Sequence, residues 1–105
     1  MREAFIPILL HKNEEKKRFE IEIAGSFAFI KYTETAKNIA LIHTEVEPAL
    51  EGQGAAGAVV EKTLNYINTS GKTLLPYCPY VFAYIKKHPE WKRLVDPHFE
   101  GYDKL

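Results

Sequence analysis

This sequence of 105 residues contains few cysteines and no long hydrophobic run, and its formal net charge is zero. A single cysteine, Cys78, excludes an internal disulfide and a zinc site built from several cysteines, and it fits a reducing compartment. The 14 basic and 14 acidic side chains cancel, so no overall field favours nucleic acid or an acidic membrane surface as partner. The apolar run from Phe5 to Leu10 is broken by Pro7 and is too short to cross a bilayer. We therefore expect a cytoplasmic protein with a small-molecule partner, its oligomeric state left open.

A chain of this length accommodates one domain with one hydrophobic core. No internal repeat and no linker divides the sequence, so we expect a single domain over residues 1–105. The 46% hydrophobic content is typical of a globular protein. The histidines show no metal-ligand spacing with other ligand types, and no metal site is predicted.

The first half of the sequence predicts an antiparallel sheet. The apolar piece from Ile8 to His11 and the alternating segment from Phe19 to Ile23 flank a charged turn, as in a hairpin. Two longer strands follow, Phe27 to Thr33 and Ile39 to Val46, and the connections are too short for crossover helices. Regular alternation places four side chains of the last strand on one face: Ile39, Leu41, His43 and Glu45.

The second half predicts two helices around a short strand. Apolar residues recur at helical spacing from Ala56 to Ile67, and Thr73 to Leu75 forms a brief buried strand. Because a helix joins them, this strand is expected to lie parallel to the strand that ends at Val46. Pro79 suits the first position of a second helix, which Pro89 ends. The sequence thus predicts an α/β domain of the α+β type, with antiparallel N-terminal strands followed by β-α-β-α.

A glycine-rich turn, Gly52 to Gly57, precedes the first helix and reads G-x-G-x-x-G. The dinucleotide motif of this spacing requires parallel βαβ units and an acidic residue about 20 positions further on. Both are missing, because the preceding strands are antiparallel and the next strand ends in Leu75-Pro76. Small residues still let a ligand approach the main chain, and the unpaired N–H groups of a helix start attract phosphate. The alternative is that these small residues only let the helix pack tightly on the sheet.

The glycine turn belongs to a longer segment, residues 46–56, that reads V-x-P-x-x-x-G-x-G-x-A. This segment resembles the cofactor-binding motif of the GNAT superfamily of acyl-CoA N-acyltransferases, and the order of elements from about Phe19 to His88 resembles the family core. The resemblance implies a splayed pair of parallel strands, acetyl-CoA or coenzyme A as cofactor, and an amine as acceptor. In that family the turn binds the pyrophosphate and the preceding strand hydrogen-bonds the pantetheine arm. The implied cofactor-binding residues are Thr44, Val46, Gly52, Gln53, Gly54, Ala55, Ala56 and Gly57.

A second segment, Pro76 to Val81, reads P-Y-C-P-Y-V and is followed by H-P-E-W at residues 88–91. Together with His43-Thr44 it is similar to a very short branch of that superfamily, minimal acetyltransferases with a cysteine of suspected catalytic role at this position. With Pro79 as the first helical residue, Cys78 is the N-cap, where the helix dipole favours a thiolate by about 0.3 to 1 kcal/mol. A small buried apolar residue is the alternative interpretation of a free cysteine.

Two mechanisms are consistent with these residues. In direct transfer, His43 or Glu45 is the base, and Tyr80 or Tyr84 protonates the departing thiolate of coenzyme A. In covalent transfer, Cys78 takes the acyl group first. The His-Glu pair is equally explained as a solvated sheet face, and the tyrosines as core residues. The expected function is an acetyl-CoA-dependent N-acetyltransferase. The alternatives are a non-catalytic module that binds or senses coenzyme A and a structural domain with an empty turn.

Overall fold

The computed structural model describes residues 1–105 and contains one five-stranded sheet with two α-helices packed against one of its faces. The elements in chain order are β1 (His11–Asn13), β2 (Arg18–Ile23), β3 (Ser26–Glu34), β4 (Asn38–Val46), α1 (Ala55–Ser70), β5 (Thr73–Pro76) and α2 (Pro79–Lys87).

Strand order in the sheet follows chain order from β1 to β5. Neighbouring strands are antiparallel up to β4, whereas β5 pairs with β4 in parallel after the crossover through α1. This arrangement confirms the predicted α+β class and the predicted parallel pair. The two strands of that pair lie next to each other because a helical crossover returns the chain to the same edge of the sheet.

The hydrophobic core lies between the sheet and the helices. β2 and β3 contribute alternate residues, and α1 contributes one apolar stripe: Ala55, Ala58, Val59, Val60, Leu64 and Ile67. From α2, Val81 and Ile85 enter the same cluster. Each fully buried Leu, Ile or Val stabilises the fold by roughly 1.5–3 kcal/mol relative to an exposed one. The helical period of the sequence therefore fixes which face of each helix packs on the sheet.

The first strand begins later than the sequence predicts. The run from Ile8 to Leu10 is not part of the sheet, and β1 spans only three residues paired with β2. Ile8 and Leu10 instead pack against the core beside Phe5, which a short 3-10 helix inserts into the main cluster. The apolar side chains of this segment are thus satisfied by packing on the core, so strand pairing is not required to bury them.

The predicted alternation along β4 is wrong after Leu41. The pairing of β3 with β4 shifts by one residue, because Lys31 lies opposite His43 while Tyr32 lies opposite Leu41, and Ile42 is left without a partner. Such a β-bulge reverses the face on which the following side chains lie. Ile39 and Leu41 lie in the core, but His43 and Glu45 are on the outer face of the sheet.

The C-terminal tail after α2 adds short pieces to the edge of the fold. A 3-10 helix spans Pro89–Leu94, and Val95 then forms a parallel bridge with Leu74 of β5. Further on, the Phe99 ring meets the Tyr77 ring edge-on, with 5.2 Å between centroids. The tail therefore covers the end of β5, at the side of the sheet away from β1.

Candidate active site

The glycine turn is anchored by Leu50, a buried residue shortly before it. A 3-10 helix, Pro48–Leu50, follows β4, and its Leu50 is buried in the core. Gly52 and Gly54 then have φ angles of +76° and +85°, the left-handed region in which a side chain is strained. The chain reverses at these glycines and enters α1 with its first N–H groups facing outwards.

The amide groups at this turn have no partners within the protein. No main-chain or side-chain oxygen accepts a hydrogen bond from the N–H groups of Gly52, Gly54, Ala55, Ala56 or Gly57. They border a cavity of about 220 Å³, which is lined by Val46, Leu50, Glu51, Gly52, Gly54, Ala55, Ala56, Gly57 and Tyr80. Unpaired N–H groups at the positive end of a helix dipole attract an anion. The cavity thus has the donors and the open space that a diphosphate requires.

The charge beside this cavity is negative. Glu51 is the one acidic residue of the lining, and no lysine or arginine belongs to it. The side chain of Gln53 turns away and donates a hydrogen bond to the Ala49 carbonyl, at 2.9 Å. Anion binding in this cavity therefore depends on main-chain amides.

The parallel strands separate next to the turn. Their pairing ends at Leu41 and Pro76, after which the Tyr77 amide bonds back to the Leu75 carbonyl and turns the chain away from β4. The second half of β4, from Ile42 to Val46, has no partner strand on this side. This opening between β4 and α2 is called the strand gap below. Val46 borders both the gap and the amide-lined cavity, so the two lie next to each other.

Cys78 lies at the closed end of the strand gap. As predicted, it is the N-cap of α2, with Pro79 as the first helical residue. Its amide donates to the Leu41 carbonyl at 2.8 Å, and its Sγ is 3.3 Å from the Thr44 hydroxyl. The residue is only 3% exposed. Thr44 and Cys78 thus join β4 to the start of α2 where strand pairing has ended.

His43 and Glu45 form a pair on the outer face of the sheet. The Nε2 atom of His43 is 3.3 Å from Oε1 of Glu45, and both side chains are 56% exposed. Adjacent residues of a strand point to opposite faces, so this pair is directed away from the Thr44 side chain. Both residues belong to the half of β4 that has no partner on the β5 side, so the pair lies beside the strand gap on the outer face of the sheet.

The two candidate tyrosines of α2 have different surroundings. Tyr80 is half exposed and lines the cavity beside the glycine turn, where its hydroxyl lies 3.8 Å from the position that a Cβ on Gly57 would take. Tyr84 lies one turn further on, half-buried, with its ring stacked on His88 at 4.4 Å between centroids. Burial and the nearby Glu61 carboxylate raise the pKa of Tyr84 to about 12. Of the two tyrosines, Tyr80 is the one that lines the amide-lined cavity.

Together, the mixed sheet, the separating parallel strands and the glycine turn define a GNAT-like fold. A family model described as GCN5-related N-acetyl-transferase matches residues 18–94, from the start of β2 to the end of the 3-10 helix after α2. The match covers more than half of the chain, and the chain belongs to this family of acyltransferases. This confirms the resemblance to the GNAT superfamily, while the C-P-Y-V segment stays a prediction.

Two further observations bear on partners. Neither α1 nor α2 is long and apolar enough to cross a membrane. No group of three or more His, Cys, Asp or Glu side chains comes together as metal ligands would.

Several contacts at the site could not be found by sequence reasoning. The Thr44–Cys78 contact joins residues 34 positions apart, and it exists because the bulge at Ile42 turns Thr44 towards the helices. The N-terminal segment also reaches the glycine turn, with the Arg2 side chain beside Gly54. The missing signal is in both cases tertiary, since neither a bulge nor a return of the N-terminal segment has a distinctive local pattern.

Proposed function

We propose that the protein is an acetyl-CoA-dependent N-acetyltransferase that acts on an amine. The observation that carries the proposal is the adjacency of two features, which meet at Val46: a cavity lined by unpaired amides and the half of β4 that has no partner on the β5 side. A phosphate-rich head group fits the first, and an extended amide-containing arm fits the second, because a strand edge offers main-chain donors and acceptors.

Each predicted cofactor-binding residue has a role in this proposal. The amides of Gly52, Gly54, Ala55, Ala56 and Gly57 bind the diphosphate, and the lack of bulky side chains lets its oxygens approach them. Gln53 contributes by holding the turn through its bond to Ala49. The main chain from Thr44 to Val46 bonds the pantetheine arm along the strand gap.

When bound, acetyl-CoA supplies an activated carbonyl carbon, to which the amine nitrogen bonds as the carbon–sulfur bond breaks and coenzyme A leaves. The His43–Glu45 pair takes the proton that the amine gives up. Glu45 accepts a hydrogen bond from the imidazole and orients it, which leaves the other ring nitrogen to act as base. The pair borders the strand gap on the open face, where an acceptor can enter.

Tyr80 is the better candidate for the proton donor to the departing sulfur. Its hydroxyl lies near Gly57, and the residue lines the cavity that adjoins the strand gap. Tyr84 lies beside Glu61 of α1, and burial together with this carboxylate raises its pKa to about 12. It therefore holds its proton more tightly than an ordinary tyrosine does. Of the two tyrosines that the sequence predicts, we assign the acid role to Tyr80 and a packing role to Tyr84.

Direct transfer accounts for Cys78 better than a covalent intermediate does. A nucleophilic cysteine is partially exposed and is activated by a nearby cation. Cys78 is almost fully buried and contacts the uncharged Thr44 hydroxyl. We therefore assign it a positioning role at the closed end of the strand gap.

Two variants test the proposal, with acetyl-CoA and a panel of primary amines as substrates. His43→Gln is expected to lower kcat about 100-fold while the affinity for acetyl-CoA stays the same, since general base catalysis contributes at least this much. Cys78→Ser keeps a hydroxyl partner for Thr44 and is expected to retain most of the activity. An acetyl group on Cys78 in the intact mass, combined with an inactive serine variant, would establish the covalent route instead.

The presence of Glu51 at the cavity favours one alternative, a module that binds or senses coenzyme A without catalysis. A carboxylate beside the phosphate position weakens binding and suits a reversible sensor better than an efficient enzyme. Binding of acetyl-CoA with neither hydrolysis nor transfer to any amine of the panel would support the module. No binding at all would refute both functions.

A further inference from the structure

A second cavity adjoins the amide-lined one at Gly54 and Gly57. It has a volume of about 340 Å³ and opens between α1, α2 and the N-terminal segment. Its lining consists of Met1, Arg2, Gly54, Gly57, Ala58, Glu61, Tyr84 and His88. The two glycines belong to both cavities, so a ligand that binds at the start of α1 can extend from one cavity into the other.

The fold of the N-terminal segment holds Arg2 beside Gly54. Its Nε atom is 3.9 Å from the position that a Cβ on Gly54 would take, and the Phe5 ring is equally close to that position. Phe5 is inserted in the core and its amide bonds to the Arg2 carbonyl at 3.0 Å. In addition, Lys62 of α1 donates to the Ile6 carbonyl at 3.3 Å. The guanidinium group therefore starts from an anchored main chain.

The guanidinium of Arg2 has no partner in the protein. It forms no salt bridge and no side-chain hydrogen bond, even though Glu61 lines the same cavity. A guanidinium is a planar fork of donors that matches a phosphate. A guanidinium group without a partner, next to main-chain amides without partners, is arranged to bind an anion that contacts the guanidinium and the amides together.

We propose that Arg2 binds a phosphate group of the coenzyme A moiety in this second cavity, and so supplies the positive charge that the amide-lined cavity lacks. The inference rests on the proposed function and adds a residue to the same site. Glu51 places a negative charge in the lining of the amide-lined cavity, and Arg2 places a positive charge in the lining of the second cavity. The nucleotide end of the cofactor then lies towards Tyr84 and His88, and the pantetheine arm towards Val46.

The test is a calorimetric titration of the whole chain, carrying any purification tag at its C-terminus, with coenzyme A. Arg2→Gln is expected to bind about fivefold more weakly than the wild type, as for one exposed charge pair. Arg2→Lys, which keeps the charge but not the fork, is expected to lie in between. Lys86→Ala removes an exposed cation on α2 that lines neither of the two cavities, and it is expected to bind like the wild type. The difference between Arg2→Gln and the wild type should shrink as salt is added.

A parallel titration with 3′-dephospho-coenzyme A identifies the phosphate. An effect of Arg2→Gln that disappears with this ligand assigns Arg2 to the 3′-phosphate, and an unchanged effect assigns it to the diphosphate. Equal affinity of Arg2→Gln and the wild type for coenzyme A would overturn the inference and leave the proposed function intact. No binding by the wild type would overturn both. Since Arg2 is exposed, a change of the melting temperature is not expected in any of these variants.

Discussion

The small residues of the glycine turn serve either to bind phosphate or to pack α1 tightly on the sheet. Gly57 is the position at which these two explanations make opposite predictions. It lies in the first turn of α1 with an ordinary helical backbone, so alanine fits without strain. The added methyl group would lie 3.8 Å from the Tyr80 hydroxyl, an ordinary contact distance. In a helix interior alanine is more stable than glycine by about 0.8–1.0 kcal/mol, and in this first turn we expect about half of that.

The variant Gly57→Ala should therefore be more stable and bind the cofactor less well. A gain of about 0.5 kcal/mol corresponds to a rise of about 2–4 °C in the melting temperature of a domain of this size. The methyl group lies in the amide-lined cavity and keeps phosphate oxygens from the N–H groups. The loss of a single charge-assisted hydrogen bond, about 1.5–3 kcal/mol, raises the Kd for coenzyme A at least about tenfold. Thermal denaturation without ligand and calorimetry with coenzyme A measure the two effects.

Gly71→Ala is the matched control at the other end of α1. Its φ of +78° strains any side chain, while nothing lies within 4 Å of the added Cβ. We expect it to destabilise the fold by about 1–2 kcal/mol and to leave the affinity for coenzyme A unchanged. If Gly57→Ala instead melts at a lower temperature and binds coenzyme A normally, the small residues serve only to pack α1 on the sheet.

Two further predictions concern pH. Hydrogen bonds from Lys12 and Lys72 lower the pKa of Glu34 from 4.5, so its contribution to stability is present above pH 4.5 and is lost as the pH falls through the lower folded value. In acid titrations of the melting temperature, the wild type should lose more stability below pH 4.5 than Glu34→Gln, and parallel curves would contradict this. Burial and Glu61 raise the pKa of Tyr84 from 10.0 to about 12, so the stabilisation by its neutral form is complete below pH 10 and is lost as the pH rises towards 12. Tyr84→Phe, which cannot ionise, should therefore lose less stability than the wild type over this range, and an equal loss would show that the tyrosine is not buried in the way described.

The order and type of the main elements could be predicted because each has a strong local pattern. Alternation marks Phe19 to Ile23, glycine ends α1 at Gly71, and Pro79 marks the start of α2. Short connections then require antiparallel neighbours up to β4. These rules depend on sequence distances of a few residues, and this is why they succeed here.

The side-chain directions along β4 could not be predicted, because they depend on Ile42, the residue that has no partner in β3. Regular alternation of β4 assigns His43 and Glu45 to the face of Leu41, but the bulge at Ile42 moves them to the outer face and brings Thr44 to Cys78. A bulge inserts a residue without a characteristic local composition, so period counting cannot detect it. The position of Arg2 has a similar cause, since it follows from the packing of Phe5 in a core that forms from distant segments.

Two prolines, one at the end of β5 and one at the start of α2, make the strand gap a permanent part of the fold. Pro76 and Pro79 have no N–H groups, so this stretch of chain lacks two of the donors it would need to pair with the free half of β4. The opening exists before any ligand arrives and is not formed by a slow movement of the strands. Association with a cofactor should then proceed in a single kinetic phase, at a rate limited by encounter and not by rearrangement of the sheet.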